Sequence, residues 1–175
     1  MLSDKQRGVL KGMLAGLATT VAALSMAVLA SPGPLLPVSA AAAVAHALRW
    51  DLLIIVCLAA SIGALARHRF FSPDDIDGGG LAKGTQGAQI LQSMLQNTLE
   101  QALLAIATHL VWAAMMPWRW QAAIPIAASL FLLGRILFAL GYGKGAPARA
   151  LGFSLTFYPS VVMLAALLVA ALIGV

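Results

Sequence analysis

Asn97, Glu100, Arg135, Tyr142 and Arg149 are the residues of this chain whose types and spacing could do chemistry. From Gly78 to Val175 the only acidic residue is Glu100, and it stands with Asn97 near the start of an apolar run. A charge at the centre of a membrane helix costs about 2.5 to 3.5 kcal/mol and is seldom kept without a partner or a job. Helix neighbours three or four apart share a face, which gathers Ser93, Gln96, Asn97, Glu100 and Gln101 into one polar strip. Arg135, Phe138 and Tyr142 form a second strip at i, i+3 and i+7. If Pro117–Trp120 turns tightly, both strips lie at one depth, and Glu100 is expected to pair with Arg135 or Arg149. The plainer reading makes these residues polar glue between membrane helices. A structural ion pair, however, needs neither a tyrosine in a glycine-broken loop nor a second arginine beyond it.

The elements that must position them are membrane spans. Of 175 residues 61% are hydrophobic and 10% charged, against about 25% charged in soluble domains. The chain is therefore expected to be an all-α integral membrane protein. Apolar sequence suffices for four or five spans of about 20 residues each. The net charge of +5 fits membrane topology better than a nucleic-acid partner. Cys57 is the single cysteine, so no internal disulfide can form, and within an apolar run it reads as a small buried hydrophobe.

Lys5, Arg7 and Lys11 precede an uncharged stretch, Met13 to Ala30, which ends at Ser31-Pro-Gly-Pro34. This is a first span, uncleaved rather than a signal peptide, because it exceeds the usual apolar core of such a leader. The boundary drawn here separates an N-terminal helix and proline-rich loop, residues 1–37, from a four-helix domain, residues 38–175. Arg49-Trp-Asp51 marks an expected membrane interface. Leu52–Ala66 is a second span, extended at both ends with Arg49 and Arg67 snorkelling. A polar connection leads to a third span, about Gln89 to Met116. Pro117–Trp120 is then a hairpin turn, which predicts that the next helix, about Ala122–Leu140, packs antiparallel to the third. Leu151–Val175 is the last span. With the N-terminus inside, nine cations (Lys5, Arg7, Lys11, Arg67, Arg69, Lys83, Arg135, Lys144, Arg149) face the cytoplasm and only Arg49 and Arg119 face outward, a coherent positive-inside pattern. His109 reads as a satisfied membrane histidine on the far side of its helix from Glu100. Trp112, Trp118 and Trp120 read as an interfacial belt, and Gly78–Gly80 as a loop rather than a phosphate cradle. No zinc or iron cluster, Walker loop, nucleophile elbow or dinucleotide fingerprint is recognisable.

Asn97-Thr-Leu-Glu100, then Gly134-Arg-Ile-Leu-Phe-Ala-Leu-Gly-Tyr142, then Arg149, resemble the MAPEG family, the membrane-associated proteins in eicosanoid and glutathione metabolism. The resemblance covers about residues 50–175 and implies a four-helix membrane bundle, here with one additional N-terminal helix, assembled as a homotrimer. It implies glutathione bound between subunits near the cytoplasmic side, and transferase or peroxidase activity on lipophilic substrates. By that resemblance Asn97 and Glu100 hold the peptide's backbone and amino group, Arg135 and Tyr142 line the pocket, and Arg149 stabilises the thiolate. The carboxylates would fall to Arg67 or Arg69, with His68 competing for those positions. A bacterial inner membrane is the expected location. The chain departs from the family pattern at Ser93, where well-studied members carry an arginine that contacts glutathione, and at Gln101 and Phe138, where tyrosines are found. Those departures keep open a second reading, a non-catalytic lipid- or partner-binding protein on the same scaffold. Transport ranks last, since the chain lacks broken helices in matching halves.

Overall fold

The computed structural model of this chain describes residues 2–32 and 39–174. They form five long helices and no strand: α1 (Asp4–Ala30), α2 (Ala40–Phe70), α3 (Gln86–Met115), α4 (Ala123–Tyr142) and α5 (Ala146–Ile173). All five are long and apolar enough to cross a membrane. Hydroxyl side chains start three of them: Ser3 in a capping box with Gln6, Ser39 accepting from the Ala42 amide, and Thr85 from that of Ala88. The proline-rich link and the expected 37/38 boundary lie outside the described residues.

Helices α2, α3, α5 and α4 form a ring in that order, each against the next, while α1 lies outside it along α5 and α4. The expectation that α4 packs beside α3 is thus corrected. The two are joined by a tight 3-10 turn, Trp118–Ala122, but sit across the bundle from one another and scarcely touch. That turn is tied rather than loose. Gln121 donates to the carbonyls of Met116 (2.9 Å) and Trp112 (3.3 Å), the latter shared with the Met116 amide. Trp112 donates its indole N–H to the Trp120 carbonyl at 3.0 Å. Trp112 is buried in the core with Leu24, Ile124 and Met163, so it does not belong to an interfacial belt. Trp118 and Trp120 are only half-buried.

Asp51 lies inside α2, which begins at Ala40, and is wholly buried against the protein, whereas its neighbours Arg49 and Trp50 are exposed. There its carboxylate meets Nδ1 of His109 on α3 at 2.6 Å, and His109 is equally buried. The pair joins α2 to α3, but the satisfied histidine expected there is met only in part: Nδ1 has a partner, while His109 Nε2 and Asp51 Oδ2 are buried with none among the described residues.

In lipid the helices gain nothing by hiding apolar surface from water, so close packing through small residues holds them together. Gly8, Gly12 and Gly16, spaced by four on α1, face Pro147, Ala150 and Ser154 on α5. A Cβ at Gly12 would lie 2.8 Å from that of Ala150. Between α4 and α5 a Cβ at Gly134 would lie 2.7 Å from the Gly152 carbonyl oxygen. Leucine at Gly12 is therefore expected to force α1 off α5 and lower the melting temperature of the detergent-solubilised protein by several degrees. Alanine at Gly63, which meets nothing within 4 Å, should leave it unchanged; equal melting of the two variants would contradict this packing.

Candidate functional site

Of the residues singled out from the sequence, Arg67, Arg69, Tyr142 and Arg149 lie at the end of the bundle where the α2–α3 and α4–α5 connections lie, and Asn97, Glu100 and Arg135 lie further along their helices. A helix of 31 residues is about 46 Å long, well beyond a hydrocarbon core of about 30 Å, so the end of α2 with Arg67, His68 and Arg69 extends out of the apolar layer. The loop after it is gathered around Asp75. This carboxylate accepts from the Thr85 amide (2.6 Å), the Thr85 hydroxyl (2.7 Å) and the Ser72 hydroxyl (2.7 Å), and meets His68 Nε2 at 3.0 Å. His68 is thereby spent on folding the loop. The two arginines beside it diverge: Arg67 lines a recess with His68, Phe71 and Leu91, whereas Arg69 borders a polar cavity.

That cavity has a volume of about 700 Å³ and lies between the loop and the first turns of α3. Arg69, Lys83, Gln89, Gln92 and Ser93 line it, together with Gly78, Gly79 and Gly80. Arg69 donates to the Gln92 side chain at 3.1 Å. Gln89 donates to the carbonyls of Lys83 (3.2 Å) and Gly84 (3.1 Å), which sets Lys83 at the rim. The three glycines thus serve as the wall of a cation-lined cavity.

Deeper in the bundle, Arg135 is buried and hydrogen-bonded to Asn97 Oδ1 (2.9 Å), Thr98 Oγ1 (3.3 Å) and Thr156 Oγ1 (2.8 Å). Its guanidinium lies 4.5 Å from the Phe138 ring centre. Phe138 packs edge-on against Tyr142 at 5.3 Å, and Arg149 stacks over Tyr142 at 4.4 Å. Asn97, Arg135, Phe138, Tyr142 and Arg149 therefore form one continuous run of contacts from α3 through α4 to the start of α5. The expected pairing of Glu100 with an arginine does not occur among the described residues. Glu100 is exposed on α3 and accepts from Gln96 at 2.8 Å, because Asn97 and Thr98 reach Arg135 first. Gln101 is buried, on a different face from Glu100. Thr98 and Thr156 were missed from sequence, since a threonine that back-bonds within its own apolar helix gives no signal of a cation beside it. Next to this network an apolar groove of about 300 Å³ runs between α2, α3 and α4, past Cys57, Met94, Leu132 and Arg135.

A multi-pass helical bundle with a polar run buried at mid-helix and a cation-lined recess at one end defines an integral membrane protein with a ligand-sized site. A family model describing the MAPEG family matches residues 39–169, and the chain belongs to that family. The match begins at Ser39, the residue that caps α2, leaving α1 outside it. Neither the comparison with curated proteins nor that with solved structures gives a match.

Hydrogen bonds from the Thr85 hydroxyl, the Thr85 amide and the Ser72 hydroxyl, against an opposing effect of burial and with His68 adding to them, hold the Asp75 carboxyl well below the usual carboxylate range. A carboxyl depressed on folding stabilises the loop above its unfolded pKa of about 3.9, and that contribution is lost as pH falls below it. Amide hydrogen exchange over residues 71–85, corrected for intrinsic rates, is expected to speed up at pH 3 relative to pH 7. Asp75→Asn should already exchange fast at pH 7; protection equal to that of the unaltered protein would contradict the role given to Asp75. For the deeper network, Arg135→Leu removes the donor to Asn97 and Thr156 and is expected to cost about 2 to 3 kcal/mol, measured as the shift in denaturation midpoint.

Proposed function

We propose that this protein is a glutathione-dependent membrane enzyme, a transferase or peroxidase that delivers the thiol to lipophilic substrates at a site between the subunits of a homotrimer. The run of contacts from Asn97 through Arg135, Phe138 and Tyr142 to Arg149 carries this reading, because it leads from a polar α3 face to a cation at the membrane surface. Arg149 is only half-buried, and its guanidinium keeps N–H donors for a ligand while its face rests on Tyr142. Within hydrogen-bond reach of a thiol, that cation favours the thiolate, the form that attacks an electrophilic carbon or a peroxide oxygen. Tyr142 holds the guanidinium in place, and Phe138 and Arg135 buttress Tyr142 from below. Asn97 already serves Arg135 through its side-chain oxygen, leaving its amide N–H groups for the peptide backbone.

Glu100 supports the subunit interface. A carboxylate exposed midway along a membrane helix is costly against lipid and is relieved when another subunit covers it and a ligand ammonium pairs with it. The groove beside Cys57 and Arg135, open toward the bilayer, suits the lipophilic partner. We take the Arg67, Lys83 and Arg149 end to face the cytoplasm, an orientation that the positive-inside count supports, with a bacterial inner membrane as the proposed location. A second reading, a non-catalytic lipid- or partner-binding member, is favoured by one observation: three hydrogen bonds to protein groups occupy the Arg135 guanidinium, which is how a purely structural cation is used.

Calorimetry and turnover together separate the two. The enzyme reading expects saturable glutathione binding at or below millimolar ligand, conjugation of a model electrophile, and at least a hundred-fold loss of turnover in Arg149→Ala with the oligomer intact on size exclusion. Absence of glutathione binding would reject it in favour of the scaffold reading.

A further inference from the structure

Two side-chain contacts between α4 and α5 repeat at one interval. Arg135 and Tyr142 are seven residues apart on α4, and Arg149 and Thr156 are seven apart on α5. A separation of seven returns a helix to the same face, about 10 Å further along. The two helices run antiparallel, with Gly141 against Ala148 near the connection and Gly134 against Gly152 deeper in. Thr156 therefore meets Arg135 at an inner rung, and Arg149 meets Tyr142 at an outer one.

The rungs differ in kind. At the outer one the Arg149 guanidinium stacks 4.4 Å from the Tyr142 ring centre. Attraction of this type persists anywhere within about 6 Å of the centroid, so the stack holds the cation over the ring without fixing where along the face it sits. The inner rung is directional. Arg135 Nη2 donates to Thr156 Oγ1 at 2.8 Å, the one side-chain hydrogen bond between α4 and α5 among the described residues. Thr156 is the acceptor for Nη2, whereas Nη1 turns to Asn97 and Thr98 on α3. Thr156 is wholly buried, and its own hydroxyl proton goes to the Phe153 carbonyl at 2.8 Å, which leaves its lone pairs to the guanidinium. Its methyl group packs on Gly134, where an added Cβ would lie 2.7 Å from it.

We propose that Thr156 is a positioning residue: its hydroxyl sets the register of α5 against α4 and so places the Arg149 guanidinium over Tyr142. The consequence for reaction rests on the glutathione reading. A cation favours the thiolate only within hydrogen-bond reach of the sulfur, and a slide of α5 along α4 moves Arg149 while the tolerant stack on Tyr142 survives. Neither the motifs that carry the family resemblance nor the polar strips of α3 and α4 include Thr156.

The test uses the full chain in detergent. Labelling of Arg149 by phenylglyoxal, followed by mass spectrometry, is expected to be several-fold faster in Thr156→Val, which keeps the methyl packing and loses the acceptor. Thr156→Ser, which keeps the hydroxyl, should label as slowly as the unaltered protein. Thr156→Ala gives a second hydroxyl-free variant with the same expectation as Thr156→Val. Thr98→Val removes a different acceptor of the same guanidinium; it is expected to lower the melting temperature but leave Arg149 labelling slow. With glutathione bound, thiolate absorbance followed against pH should show the apparent pKa of the thiol raised by about one unit in Thr156→Val, a ten-fold smaller thiolate fraction below that pKa, and restored in Thr156→Ser. Unaltered labelling and thiol pKa in Thr156→Val, whatever its melting temperature, would overturn the assignment, as would an equal effect in Thr98→Val. If the unaltered protein binds no glutathione, the enzyme reading falls with the thiol measurement, while the labelling series still decides whether Thr156 places Arg149.

Discussion

A guanidinium buried inside a membrane bundle has to be satisfied by protein, because lipid offers no hydrogen-bond acceptor and water is excluded. Arg135 finds acceptors for its terminal nitrogens on two helices other than its own, Asn97 and Thr98 on α3 and Thr156 on α5, while its Nε–H has none among the described residues. Much of the architecture follows. Since α3 and α4 sit across the ring from one another, the Arg135 side chain spans the centre between them. Its ring contacts then fix Phe138, through Phe138 Tyr142, and through Tyr142 Arg149. Three small-residue contacts between α4 and α5, at Gly134, Gly141 and Gly152, bring the helices close enough for Thr156 to reach the guanidinium.

The span count, the all-α class and the family were legible in the sequence because each rests on a strong local signal: long apolar runs, glycine and proline breaks, and an ordered set of polar residues. The register along α2 was less legible. Alanine-rich sequence from Ala40 to Ala47 is both apolar and a good helix former, so α2 begins there, and the burial of Asp51 comes from its partner on α3, which the sequence did not name. Partner choice was the least legible. Periodicity puts Asn97 and Glu100 one turn apart but cannot say which of the two faces the bundle; the packing turns Asn97 inward and leaves Glu100 outside. Trp112 shows the same limit, since a tryptophan near a helix end reads as an interface anchor until its N–H is seen to close the turn onto Trp120.

The two polar regions differ in how much freedom they keep. Around Arg135 three hydrogen bonds tie the guanidinium to protein acceptors, while its buried Nε–H has no partner among the described residues. At the loop end, beyond the apolar layer, cations stand at the rim of an open cavity with Asp75 bound beneath them. Rigidity in the deep network and vacancy at the surface are complementary: the first fixes where the second lies.

The glycine ladder on α1 reaches further than helix adhesion. Gly8 and Gly12 press on Pro147 and Ala150, the two residues that bracket Arg149 in the opening turns of α5. Because these contacts run nearly backbone to backbone, α1 and the start of α5 cannot slide or rotate independently. The seat of Arg149 is therefore braced from outside the family domain, by a helix that the family match does not include.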